Sequence, residues 1–214
     1  MSLDKDDRQI NLAGKSIEGP ESLPSIRISK KSGREKFQLH RENLPIDLLD
    51  FWKWSSSDIV GNALRGVLAE FIVASALGET EGVREEWDAY DLKTRDGIKI
   101  EVKSGAYIQS WKQDSYSRIV FSIRPTLGWD ARENRYSSKV TRQADVYVFC
   151  VLKHKDQETI DPLNLDQWDF YVMSTEALNC SVGDQKTISL SKLLELDPVL
   201  VDFDRIDNAI KQNL

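Results

Sequence analysis

Apolar residues recur along the chain with two different periods, which predict both helices and strands. PIDLLDFWKW, residues 45–54, has the spacing of a short amphipathic helix, and residues 55–78, SSSDIVGNALRGVLAEFIVASALG, predict a longer one. The serines and Asp58 are suitable N-caps for the longer helix, and Gly78 is a suitable C-cap. We expect this second helix to be the main packing helix.

Short apolar segments after residue 78 predict at least five strands. Two of them flank the Asp96-Gly97 turn, and the others are SRIVFSI, DVYVFCVL and WDFYVMS. The polar linker GWDARENRYSSKVTRQA predicts an irregular or short helical crossing, and TEALN, SLSKLLEL and RIDNAIKQN predict further helical turns. This order favours an α/β protein with a central mixed β-sheet flanked by helices.

The domain organisation follows from the chain length and from the polar N-terminus. Residues 1–24 lack an apolar period and predict a flexible leader. At 214 residues and 24.5 kDa, the chain has the length of one well-buried domain. We therefore expect residues 25–214 to form a single domain.

Composition and charge limit the compartment and the partners. No apolar run approaches the roughly 20 residues that span a bilayer, and the acidic N-terminus lacks the pattern of a signal peptide, so we expect a cytoplasmic protein without membrane contact. Two cysteines are too few for a cysteine zinc site. The net charge of −6 argues against a polyanionic partner, but residues 25–41 carry six Lys and Arg residues against one acid, which permits nucleic-acid binding.

The segment YDLKTRDGIKIEVKSG, residues 90–105, predicts a charged hairpin whose register decides its chemistry. A two-residue Asp-Gly turn would pair apolar with charged residues, for example Leu92 with Glu101. A three-residue loop with Gly97 in the left-handed position instead pairs Leu92 with Ile100. The hydrophobic pattern selects this second register, which places Asp91 opposite Glu101 with Cβ atoms roughly 5 Å apart.

Two carboxylates that face each other across a strand pair repel unless a positive group lies between them. Mg²⁺ suits this geometry because it takes one or two carboxylates, several waters and a substrate phosphate. Lys103 projects from the same face, where it can orient a water or neutralise charge on a phosphate. The alternative is a solvated outer face on which lysines balance the acids.

Glu70 is the only charged residue in GVLAEFIVASAL, the central part of the second helix. Its neighbours at helical spacing are small or apolar, and a buried carboxylate is costly without a partner. Glu70 therefore either pairs with a cation, for which Arg65 and Lys103 are candidates, or faces a cleft that holds a metal ion.

The combination of a helical Glu70, a strand Asp91 and the tripeptide Glu101-Val102-Lys103 resembles the PD-(D/E)XK nuclease superfamily, which is also called restriction-endonuclease-like. DLK at 91–93 and DQK at 184–186 also match the tripeptide, but only EVK ends an apolar strand that follows an acidic strand and a helical Glu. The resemblance covers residues 55–174 approximately and implies an αβββαβ core.

The resemblance implies roles for individual residues. Asp91 and Glu101 correspond to the metal-binding acids, the Val102 carbonyl to a further metal ligand, Lys103 to the catalytic lysine and Glu70 to an accessory catalytic carboxylate. No proline precedes Asp91, and Asp88 remains an alternative for the first acid.

The segment after the EVK strand offers candidate substrate contacts. Gln109, Ser110 and Trp111 combine hydrogen-bonding groups with an aromatic face, which suits a backbone phosphate or a base. A core position for the tryptophan is the alternative interpretation.

Together these features predict a Mg²⁺-dependent nuclease, with Mn²⁺ as an alternative ion, that hydrolyses phosphodiester bonds of DNA with a metal-bound water as nucleophile. The rival hypotheses are a catalytically silent nuclease-fold protein that binds nucleic acid or a protein partner, and a structural protein with solvated acids. A chain of this size that cuts both strands of a duplex is expected to act as a homodimer.

Overall fold

The computed structural model describes residues 26–84, 89–130 and 135–214. The predicted leader, residues 1–24, and the alternative first acid, Asp88, lie outside the described residues. Within the described ranges, no helix has the length and apolar character that crossing a membrane requires.

The described residues form five α-helices and eleven β-strands in a mixed order. The helices are α1 Leu48–Ser55, α2 Asn62–Ala76, α3 Thr175–Val182, α4 Leu190–Leu194 and α5 Ile206–Gln212. The strands are β1 Lys36–Leu39, β2 Glu42–Asp47, β3 Leu92–Lys93, β4 Lys99–Ala106, β5 Val120–Ser122, β6 Thr126–Asp130, β7 Arg135–Thr141, β8 Val146–Leu152, β9 Trp168–Ser174, β10 Thr187–Ser189 and β11 Val199–Val201. Short 3₁₀ turns span Leu165–Gln167 and Phe203–Arg205.

The central sheet has five strands in the order β11-β9-β8-β4-β3. Strands β4 and β8 are parallel, and every other neighbouring pair in this sheet is antiparallel. All seven residues of β8, VYVFCVL, are buried, as expected for a central strand covered on both faces. The prediction of an α/β fold with a mixed sheet flanked by helices is confirmed.

Two hydrophobic clusters cover the two faces of this sheet. On one face, Ile100 and Val102 of β4 pack with Ala69, Ile72 and Val73 of α2 and with residues of α5. On the other face, Tyr147 and Phe149 of β8 belong to a cluster that includes residues of β5, α3 and α4. Because side chains alternate along a strand, Glu101 and Lys103 of β4 lie on this second face.

The region between the hairpin and β8 differs from its prediction. Strand β5, within SRIVFSI, pairs with β10 and not with the central sheet. The polar linker contains β6 and β7, which form an antiparallel hairpin, so the predicted irregular or helical crossing is wrong. The linker includes RYSSKVT, whose Tyr, Val and Thr residues favour strands more than its polar character suggests.

Helix α2 is shorter at its N-terminus than the sequence predicts. It begins at Asn62 after Gly61, and the predicted cap Asp58 instead accepts the Gly61 N–H through Oδ1 at 2.9 Å. At the other end Gly78 has a φ of 69°, and its N–H bonds to the Ser75 carbonyl at 3.2 Å. The left-handed glycine therefore ends the helix where the sequence predicts.

The close approach of β5 to β4 predicts that Gly105→Ala destabilises the protein. A Cβ atom at Gly105 would lie 2.5 Å from Cγ2 of Ile119 and 3.1 Å from Cε1 of Phe121. Ile119 is buried and β-branched, so its methyl group has little room to move. We expect a loss of about 1–3 kcal/mol in the free energy of unfolding, measured with urea.

Gly66→Ala is the matched control for this prediction. Gly66 lies inside α2, and apart from the adjoining backbone of the helix and its two chain neighbours, no atom lies within 4 Å of a Cβ built there. Alanine should therefore raise the free energy of unfolding by about 0.5–1 kcal/mol. An equal response of both glycines would contradict the proposed packing of β5 on β4.

Candidate active site

The hairpin of β3 and β4 has the register that the apolar pattern predicts. Leu92 lies opposite Ile100, and the Thr94 N–H donates to the Ile98 carbonyl at 2.9 Å. Gly97 has a φ of 91°, which is the left-handed conformation required in the three-residue loop. The register prediction is confirmed at Leu92 and at the turn.

Asp91 immediately precedes β3 and makes two hydrogen bonds to β4. Its N–H donates to the Ile100 carbonyl at 3.1 Å, while its side-chain Oδ2 accepts the Val102 N–H at 2.7 Å. The Asp91 carboxylate therefore accepts a hydrogen bond from a main-chain N–H of β4, as a main-chain carbonyl of a neighbouring strand would. This bond orients the Asp91 carboxyl group toward the strand that carries Glu101.

Glu101 and Lys103 form an ion pair on the second face of the sheet. Lys103 Nζ lies 2.5 Å from Glu101 Oε1, and the two side chains are 24% and 20% exposed. Directly across the parallel ladder, Tyr147 and Phe149 lie opposite these two residues and are buried. The ion pair therefore lies next to buried aromatic side chains and remains partly exposed to solvent.

The pKa of Asp91 is affected by the other three predicted catalytic residues. Burial is the main cause that raises the pKa of Asp91 to about 6, and the charge of Glu101 raises it further. Lys103 and the Val102 N–H lower the pKa, whereas Glu70 raises it slightly. Asp91 is therefore a carboxyl group that two other carboxylates destabilise in its ionised form.

Glu70 lies near this cluster but has a partner that the sequence did not indicate. Its side chain is 13% exposed and forms a two-pronged ion pair with Arg84, whose Nη2 lies 2.9 Å from Oε1. The prediction that Arg65 or Lys103 pairs with Glu70 is therefore wrong. Arg84 precedes the hairpin in a loop, and no periodicity in the sequence marks it.

The donor set at the hairpin suits a hard divalent cation. Asp91 and Glu101 offer two carboxylates on the same hairpin, and the charge of Glu101 contributes, after burial, to the raised pKa of Asp91. Mg²⁺ needs few protein ligands because it retains waters. In the described ranges, no three His, Cys, Asp or Glu side chains are grouped as potential metal ligands.

Gln109, which the sequence predicts as a substrate contact, occupies an interior position. It is buried, and its Oε1 accepts from Arg65 Nη1 at 3.0 Å while its Nε2 donates to the Ala106 carbonyl at 3.1 Å. A further bond of 3.3 Å joins Nε2 to Ser117 Oγ. These bonds occupy the Gln109 amide in this structure, and its contact with substrate stays a prediction.

Arg65 anchors the same network from helix α2. Although it is buried, its guanidinium also donates to the Val60 carbonyl at 2.6 Å and to Ser104 Oγ at 3.3 Å. Burial lowers the pKa of Arg65 to about 10, and Asp58 opposes this shift. Arg65 thereby ties the start of α2 to β4 and to the loop that follows it.

Ser110 and Trp111 are exposed beside this network. A hydrogen bond from the Ser110 side chain is the main cause that lowers the pKa of Asp58. Trp111 is 52% exposed, so the alternative interpretation of Trp111 as a core residue is wrong. Both residues are accessible, and their contact with substrate stays a prediction.

A larger cavity lies beyond the carboxyl ends of the parallel strands β4 and β8. Its volume is about 820 Å³, and its lining includes Tyr116, Lys155 and Glu158. Lys155 Nζ lies 4.4 Å from the centre of the Tyr107 ring, so its ammonium group makes a cation–π contact within the protein. None of the predicted catalytic residues lines this cavity.

A mixed sheet flanked by helices, with an Asp, a Glu and a Lys gathered on one hairpin, is consistent with an α/β nuclease. The model of the bacteriophage T4 endonuclease IV family matches residues 22–192, and the chain belongs to this family. That membership supports a DNA nuclease in general terms and does not by itself indicate the PD-(D/E)XK superfamily. No curated protein and no solved structure shows a significant match.

The environment of Asp91 predicts a titration near neutral pH. In metal-free protein, the Asp91 carboxyl should titrate with a pKa of about 6, above its usual 3.8, as measured by ¹³C NMR. Because the folded state holds this proton more tightly, Asp91 reduces stability as pH rises from 3.8 to about 6. Glu101→Gln should lower the pKa, and Mg²⁺ should lower it by competing with the proton.

Glu79→Gln is the control for this titration. Glu79 accepts the Arg95 N–H at 2.8 Å, so this substitution also neutralises a carboxylate at the hairpin. It should leave the pKa of Asp91 unchanged. An Asp91 that titrates at its usual value in the wild-type protein would contradict the close approach of the two acids.

Proposed function

We propose that the protein is a Mg²⁺-dependent endonuclease that hydrolyses phosphodiester bonds of DNA. The observation that carries this proposal is the position of Asp91 beside Glu101 on a partly buried hairpin, with Lys103 on the same face. Family membership supports the nuclease activity, and the carboxylate pair is our reason for adding the metal ion. We also propose that the protein belongs to the PD-(D/E)XK superfamily, which its Asp91 and its tripeptide Glu101-Val102-Lys103 resemble.

Asp91, Glu101 and the main-chain carbonyl of Val102 are the proposed ligands of the metal ion. Water molecules and a substrate phosphate would complete the six positions that Mg²⁺ requires. Mn²⁺ accepts the same oxygen ligands and is expected to substitute. When bound, the cation would supply an activated water and neutralise charge on the phosphate.

The hydrogen bond from Val102 N–H to Asp91 gives the aspartate a defined orientation. It engages Oδ2 at 2.7 Å, so Oδ1 is the oxygen that we assign to the cation. Glu101 is oriented in a similar way, because Lys103 engages its Oε1. Both carboxylates are therefore positioned before the metal ion arrives, which reduces the cost of binding.

Lys103 is the proposed catalytic lysine. Its ammonium group projects from the face that carries the two acids, where negative charge develops on the phosphate oxygens in the transition state. The partial burial of Lys103 strengthens this interaction because water screens it less. Lys103 thus stabilises the transition state while it holds Glu101 in place.

Glu70 and the loop after β4 have supporting roles in this proposal. Glu70, which Arg84 holds, is the accessory carboxylate that accepts a proton or orients a water beside Asp91. Ser110 and Trp111 are exposed where the chain leaves β4, and we assign them to the DNA backbone or a base. Gln109 positions these two residues from the interior.

Lys103→Ala tests the proposed chemistry. Removal of the ammonium group should lower kcat for plasmid or oligonucleotide cleavage in Mg²⁺ by about 10²–10³-fold, the usual effect of losing one group that stabilises transition-state charge. DNA affinity should change much less. Single-turnover cleavage assays at saturating enzyme separate these two effects.

Lys93→Ala is the matched control, because Lys93 is an exposed lysine on the neighbouring strand of the same hairpin. It should retain the wild-type kcat. Undiminished cleavage by Lys103→Ala would overturn the assignment of the catalytic lysine. DNA binding without cleavage and without calorimetric binding of Mg²⁺ or Mn²⁺ would instead favour the catalytically silent alternative.

A further inference from the structure

Residues 26–56, the N-terminal module, comprise a loop, the β1–β2 hairpin and helix α1. No residue of α1 is buried, although LLDFWKWS is mostly apolar. Trp54 is 84% exposed, and Phe51 and Trp52 are also exposed. A helix that exposes so many large apolar side chains indicates a surface that contacts another molecule.

The β1–β2 hairpin of the module has one polar and one apolar face. On the polar face, Lys36 Nζ lies 3.2 Å from Asp47 Oδ2, and the side chains of Gln38 and Asn43 bond at 2.9 Å. The alternate positions carry Phe37, Leu39 and Ile46, which are exposed. The polar face is satisfied internally, so the available contact surface is the apolar one.

A basic loop packs directly against the exposed aromatic helix. The Gly33 carbonyl accepts the Leu49 N–H at 2.9 Å, and a Cβ at Gly33 would lie 3.0 Å from Cζ3 of Trp52. Lys31 and Arg34 flank this glycine and are exposed. Cationic and aromatic side chains therefore belong to one continuous surface.

The charge of the module has the opposite sign to that of the whole chain. Residues 26–56 contain seven Lys and Arg residues and four Asp and Glu residues, whereas the chain has a net charge of −6. Within the described part of the chain, the following module cations form no ion pair: Arg27, Lys31, Arg34, Arg41 and Lys53. This local excess of unpaired cations suits a polyanion.

The module is attached next to the elements of the candidate active site. Lys30 Nζ donates to the Thr80 carbonyl at 2.8 Å, just beyond the end of α2. The adjacent Glu79 bonds to the Arg95 N–H in the turn of the β3–β4 hairpin. The basic loop is thus linked through two contacts to the hairpin that carries Asp91 and Glu101.

We propose that the N-terminal module is a second DNA-binding surface, which holds the substrate outside the cleavage site. The exposed cations contact backbone phosphates, and the aromatic helix contacts the adjoining sugars and bases. This inference rests on the proposed function for the identity of the polyanion. A second copy of the chain is a less suitable occupant, because two identical modules would bring like charges together.

The salt dependence of DNA binding tests this surface. Affinity for a fluorescein-labelled oligonucleotide is measured in EDTA at several salt concentrations, so that no cleavage occurs. The double variant Lys31→Gln/Arg34→Gln should bind more weakly than the wild type. The slope of log affinity against log salt should fall in magnitude by about two, because two phosphate contacts are lost.

The matched control is Lys192→Gln/Lys211→Gln, which changes the net charge equally. These lysines lie on α4 and α5 and pair with Glu195 and Asp207 at 2.9 and 2.8 Å. The control should keep the wild-type slope, and equal slopes for both double variants would overturn the inference. Sedimentation of Trp54→Ala adds a second readout: a wild-type dimer that this variant dissociates, at unchanged slope, would show that a second copy occupies the surface.

The two proposals can fail separately. A wild-type protein that cleaves DNA in Mg²⁺, but whose salt slope does not depend on Lys31 and Arg34, would overturn only the role of the module. A protein that binds DNA through these residues, but does not cleave it with Mg²⁺ or Mn²⁺, would overturn only the proposed catalysis.

Discussion

The close approach of Asp91 and Glu101 is the interaction on which the candidate site depends. Burial of Asp91 raises its pKa to about 6, and the negative charge of Glu101 contributes to this shift. The cost of this arrangement is reduced by Lys103 and by the Val102 N–H. Asp91 is therefore destabilised in its ionised form beside a second carboxylate, and this is our reason for proposing a divalent cation there.

The remainder of the fold maintains this pair. The apolar pairing of Leu92 with Ile100 sets the register, and helix α2 packs on the opposite face of β4. Arg65 connects α2 to β4 through Ser104 and to the following loop through Gln109. The same helix carries Glu70, which Arg84 holds near the acids. Packing and polar contacts thus converge on one edge of the central sheet.

Local patterns were sufficient to predict the hairpin, the main helices and the strands β8 and β9, because their apolar periods match the faces that are buried. The partner of Glu70 could not be predicted in this way, since Arg84 is brought to the helix by a loop. The interior position of Gln109 depends on a buried Arg65, which is a contact between distant segments. Strand β5 was predicted as a strand, but its pairing with β10 depends on a distant segment. The β6–β7 hairpin was missed because its polar segment lacks a clear hydrophobic period.

A crystal structure of the protein soaked in Mn²⁺ tests the central claim most directly, because the anomalous signal of the ion locates it without ambiguity. The account predicts one ion within bonding distance of both Asp91 and Glu101, with Lys103 on the same face and water on the side open to solvent. An ion bound elsewhere, or ligated by neither carboxylate, would contradict the assignment of this hairpin as a metal-dependent catalytic centre.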